Sequence, residues 1–152
     1  MMILETLSKL FERDLQRLYT EISSYNDENK LWVTDKQIAN SAGNLCLHLV
    51  GNLNTYIGKI LGNTGYIRNR EAEFLVKNVP RSELLQKIDE TKQVVISTLN
   101  SLQKTDLQKE FPEKNFDTMT SVEFMLVHLA THLGYHLGQI NYHRRLLDNF
   151  KS

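Results

Sequence analysis

Leu4, Leu7, Phe11, Leu15, Leu18 and Ile22 recur at spacings of three and four, the period that lines one face of an α-helix. The polar run Tyr25-Asn26-Asp27-Glu28-Asn29 ends this first helix. A second is expected from Thr34, a capping hydroxyl with Gln37 three residues on to complete a capping box, to about Leu61. Its apolar stripe is Ile38, Leu45, Leu49, Leu53, Tyr56 and Ile60, and Gly51, Gly58 and Gly62 leave backbone open to a close neighbour. From Gly62 to Pro80 the period breaks. So long a connection in a small bundle is typically functional, interface-forming or mobile.

Ser82 is expected to cap a third helix with Leu84, Leu85, Ile88, Val95, Leu99 and Leu102 inward. An irregular link from Thr105 to Thr118 follows, and Thr120 with Glu123 repeats the capping-box pattern at the start of a fourth helix that runs to about Asp148. Arg144 and Arg145 lie in its last turns, where cations suit the helix dipole. Strand-like alternation is nearly absent. The expected fold is all-α, a four-helix bundle in one domain over residues 1–152, with a long loop between helices two and three.

With 152 residues, the chain is long enough for one well-filled core and short for two. Eighteen basic residues balance eighteen acidic ones, so no electrostatic footprint marks a nucleic-acid or anionic membrane partner. No apolar run reaches the length of a signal peptide or a membrane span. Cys46 stands alone, which excludes an intrachain disulfide and a cysteine-rich zinc site and makes the cytoplasm the expected compartment. It reads as a small buried hydrophobe.

The chemistry lies in the histidines. His128, His132 and His136 follow one another at single-turn intervals on one face of helix four. Imidazoles at i and i+4 can reach one metal ion, but the ends of this triple are two turns, roughly 11–12 Å, apart. One of the three is therefore not a ligand, and another helix must complete the site. His48 is the candidate, midway along helix two in a polar stripe with Asn44 and Asn52. The competing reading of His48 alone is a hydrogen-bonded core histidine.

The run His128-x-x-x-His132-x-x-x-His136-x-Gly138-Gln139, together with His48, resembles the signature of the DinB-like (YfiT-like metal-dependent hydrolase) superfamily, and the likeness extends over the whole helix order. The resemblance implies a divalent metal on His48, His132 and His136 with water in an open position, and His128 in a supporting or packing role. It also implies a homodimer and, in some members, transfer chemistry with a low-molecular-weight thiol.

Three neutral imidazoles with an open position are the donor set of catalytic rather than structural zinc; zinc is the expected ion, with nickel next. Leu133 follows His132 where a zinc metalloprotease carries its glutamate, which disfavours that route to peptide hydrolysis. Asn52 and Gln139 are candidates to orient ligands or substrate, and Glu71 or Glu73 to act as a base, against the plainer reading of a salt-bridged loop carboxylate. Arg68 and Arg70 offer anion contacts for a thiol cofactor, with Tyr66 and Phe74 as pocket walls. The plainer alternative is that this loop covers the bundle or forms the dimer contact. Tyr135 and Tyr142 are expected to pack, and His143 to be exposed. The expected function is a metal-dependent thiol transferase or hydrolase acting on a small molecule. The alternative is a non-catalytic metal-binding helical module or dimerisation protein.

Overall fold

The computed structural model describes residues 2–113 and 118–148. Its helices are α1 (Met2–Ser23), α2 (Ala42–Leu53), the short α3 (Arg70–Leu75), α4 (Arg81–Ser101) and α5 (Val122–Leu147). The described residues contain no strand, only a bridge between Glu110 and Ser121. The four long helices form a bundle in which α1 and α2 each pack against both α4 and α5, while α3 lies on α2. No described helix is long and apolar enough to cross a membrane.

The stripe read on α1 is buried along its whole length, from Leu4 to Ile22. It meets Leu84, Ile88, Val95 and Leu99 of α4 and Leu126, Leu129, Leu133 and Ile140 of α5. Cys46 is buried among them, and burial pushes its thiol up to about 12, so it stays neutral. Gly58 and Gly62 admit α4: a Cβ at Gly58 would stand 2.9 Å from Val94, and at Gly62 2.5 Å from Thr98.

Helix boundaries depart from the sequence expectation where a neighbouring side chain caps better. Helix α2 starts at Ala42, not Thr34, because the Ser41 hydroxyl accepts from the Asn44 amide at 3.2 Å and donates to the Asn44 side chain at 2.7 Å. Upstream, Lys36 sits at φ 54, which breaks any helix from Thr34, and Ile38 is left 38% exposed. Pro80 rather than Ser82 precedes α4, and Ser121 rather than Thr120 caps α5 by accepting from the Phe124 amide at 3.0 Å. Past Leu53 the helix widens into a π-helical turn over Asn54–Lys59. Here the Asn54 and Thr55 side chains bond the carbonyls of Val50 and Gly51, competing with the regular ladder.

The link after α4 is more ordered than its sequence suggests. A 3-10 turn spans Lys104–Gln108, and Leu107 and Phe111 are core residues, pinned by the Phe111 amide on the Thr120 carbonyl at 2.7 Å. The remainder of that link, residues 114–117, lies outside the described residues.

His143 is buried at 4% exposure, contrary to the expectation of an exposed residue. Its Nε2 faces the Val33 carbonyl at 2.7 Å, which can only accept, so Nε2 carries the proton and Nδ1 accepts from the Tyr25 hydroxyl at 2.7 Å. Asp148 accepts from the backbone amides of Asn26 and Asp27, and Arg144 pairs with Glu21 at 2.7 Å. The end of α5 is thereby tied to the exit of α1.

Burial depresses the His143 pKa, outweighing the upward pull of its bond to Val33. The unfolded chain therefore takes up this proton first, so the stability His143 contributes is complete above the unfolded imidazole's pKa of about 6.5 and declines as pH falls below it. His143→Ala is expected to lose about 1–3 kcal/mol of unfolding free energy at pH 7.5 by stranding two buried polar groups. The gap from wild type, measured by urea unfolding, should narrow at pH 5.

Candidate metal centre

Packing α2 against α5 brings His48 to the face that carries the helical histidine series. The Nε2 atoms of His48 and His132 are 3.2 Å apart, and those of His132 and His136 3.1 Å. One ligand atom from each of the three histidines falls within 4.8 Å of the others, so together they can hold a metal ion. Nitrogens about 2.0–2.1 Å from a tetrahedral ion stand roughly 3.3–3.4 Å from one another, close to these separations. His128 does not join the trio: its ring stacks on His132 at 6.2 Å between centroids and 27° between planes.

Hydrogen bonding decides which nitrogens carry lone pairs. His48 Nδ1 lies 3.2 Å from Glu73 Oε1 and 3.5 Å from Arg68 Nη2; the carboxylate is nearer and can only accept, which favours the proton on Nδ1 and the lone pair on Nε2. His136 Nδ1 lies 2.7 Å from Gln139 Oε1, with the same consequence. Two lone pairs thus converge on His132 Nε2, where a single N–H can serve one of them well, and a cation accepts all three nitrogens at once. Burial first, then the adjacent imidazoles and Arg68, push the His132 pKa down to about 4, and burial depresses His136 as well. Both are neutral at neutral pH, the state in which imidazole binds metal.

Glu73 holds this arrangement in place. It is 6% exposed, and Arg68 grips it with Nε on Oε2 at 2.9 Å and Nη2 on Oε1 at 3.0 Å. Desolvation opposes its charge, but hydrogen bonds from His48 and Arg68 and the guanidinium charge prevail, leaving the carboxyl below its usual range. Gly51 makes the approach possible, since a Cβ there would lie 1.8 Å from Glu73 Oε2. Asn69 caps α3, and the Asn44 side-chain amide donates to the carbonyls of Glu73 and Val76 at 2.9 and 2.8 Å, anchoring the segment to α2.

Of the remaining candidates, Gln139 bonds His136 as described. Arg68 is committed to Glu73 and lies over the Tyr56 ring, so it supports His48 through the carboxylate instead of standing ready for an anion. Arg70 is exposed at the start of α3 and Glu71 beside it likewise, neither bonded to the trio. Asn52 is buried, but no hydrogen bond joins it to an imidazole, and its Oδ1 has no partner among the described residues. Phe74 packs on His48 with centroids 5.0 Å apart. Tyr135 and Tyr142 are exposed, at 65% and 63%, and not packed as expected. Glu73 is the salt-bridged carboxylate of the plainer reading, paired with Arg68, but its link to His48 past Gly51 crosses two segments and was not legible in the sequence.

A family model described as "Protein of unknown function (DUF1572)" matches residues 2–151. The chain belongs to this family. The family is DinB-like in fold, in keeping with the bundle and with the histidine signature on α5. No curated protein matches the chain.

Glu73→Gln should keep the fold and weaken zinc binding by about 10–100-fold, the usual loss when the partner of a ligand histidine is removed. Competition with a fluorescent chelator measures it, and unchanged affinity would show that His48 needs no carboxylate.

Proposed function

We propose that the protein is a metal-dependent enzyme in which His48, His132 and His136 hold a divalent ion, zinc in the first instance and nickel next, to activate a thiol or water. The observation that carries this is the convergence of three Nε2 atoms, two of them with lone pairs set by Glu73 and Gln139. Bound there, the ion supplies Lewis acidity, which lowers the pKa of a coordinated thiol or water at neutral pH.

The chain's own residues favour the thiol. Water as nucleophile is best served by a general base, and Glu73, the carboxylate beside the trio, has both oxygens engaged by Arg68 and His48 and is held ionised by them. A thiol, with a pKa of about 8.5 before any metal acts on it, needs no such base. His48 is buried while His132 and His136 are half-buried, so a small molecule has access from the α5 side. A low-molecular-weight thiol as co-substrate, a homodimer and a cytoplasmic location complete this reading.

Protein purified without a histidine tag should carry near-stoichiometric metal by plasma mass spectrometry. His48→Ala, His132→Ala and His136→Ala should each lose it, and His128→Ala should keep it. Thiol transfer to electrophiles should vanish with the metal. Full metal with no turnover across thiols and electrophiles would instead identify a non-catalytic metal-binding module.

A further inference from the structure

Beside the trio lies a cavity of about 520 Å³, bordered by His136 and Gln139 and walled by Ile38, Leu45, Tyr142 and Leu146. That volume is in the range of small-molecule sites. Among the described residues no Asp, Glu, Lys or Arg lines it, so its side chains offer a charged ligand no counter-ion for the water it would give up. His143 also borders it, but both ring nitrogens are engaged, by Tyr25 and Val33, and only its ring surface is on offer.

Gln37 and Asn40 also border the cavity, and Gln139 supplies the polar group beside His136. Its oxygen is taken by the His136 Nδ1 proton at 2.7 Å, which leaves its amide N–H groups as donors. We infer that this cavity binds an uncharged small molecule with an apolar or aromatic body and a hydrogen-bond acceptor, such as a carbonyl oxygen, that takes a proton from the Gln139 amide. The inference rests on the metal centre for its role as the substrate site, since the Gln139 oxygen that holds the His136 Nδ1 proton is what leaves Nε2 for metal and the amide N–H groups for a ligand. It names the substrate class for that centre. Tyr142 and Leu146, both about 63% exposed, are the apolar surface such a molecule would cover.

The test is an NMR titration of the full-length, zinc-loaded protein, following the Gln139 side-chain amide and the Ile38 methyls. Acetophenone, ethylbenzene and benzoate are the probes, sharing an aromatic body and differing in acceptor and charge. Acetophenone should shift both sets of signals saturably. Ethylbenzene should bind about tenfold more weakly for want of the hydrogen bond, benzoate should be weaker than acetophenone on the zinc-free His48→Ala protein, where no metal can ligate its carboxylate, and Tyr142→Ala, on an exposed side chain, should weaken acetophenone while preserving the fold. Zinc content is measured on the same samples. Full zinc with no acetophenone shift, or benzoate binding the zinc-free His48→Ala protein as tightly as acetophenone does, overturns the cavity assignment alone. Protein that takes up no zinc yet ranks the three probes as expected supports the cavity and removes the metal centre beneath it.

Discussion

A buried carboxylate must be paired, and much of the site follows from how Glu73 meets that requirement. Its charge is matched by the two-pronged Arg68 guanidinium and by the His48 N–H. The pairing draws α3 down onto α2 and needs a residue without a side chain at Gly51. It sets the His48 tautomer, so that Nε2 turns an unprotonated face to α5. What looked in sequence like an irregular connection between two helices is, at its centre, a bracket for one imidazole.

The histidines of α5 show the same side chain in two states of satisfaction. His143 has a donor on one side and an acceptor on the other, and is complete without any further group. His132 and His136, three and two turns earlier, direct Nε2 atoms toward each other and toward His48, an arrangement that bare imidazoles fill poorly and a cation fills well. Burial depresses the pKa of these three α5 residues, but at His143 neutrality serves a closed hydrogen-bond chain, and at His132 and His136 it leaves lone pairs for a ligand role.

Periodicity made much of this legible. The α1 stripe, the inward face of α4 and the one-turn spacing of His128, His132 and His136 are local consequences of a 3.6-residue repeat, and local repeats are written in the order of residues. The polar stripe through Asn44 and His48 stood out because polar groups in a bundle interior need partners. Caps were less legible: Thr34 and Ser82 have the right chemistry, but Ser41 and Pro80 begin the helices, since several nearby residues can cap and packing chooses among them.

The order of residues alone specifies an all-α chain, its principal apolar faces and a cluster of imidazoles on one helix, because each depends on residues within a few turns of one another. It took the folded chain to settle that Glu73 crosses to His48 over Gly51, that Phe111 belongs to the core, and that His143 is buried. Those outcomes depend on contacts between segments far apart in the chain, whose partners are chosen by shape and by the cost of leaving a buried charge or donor unpaired.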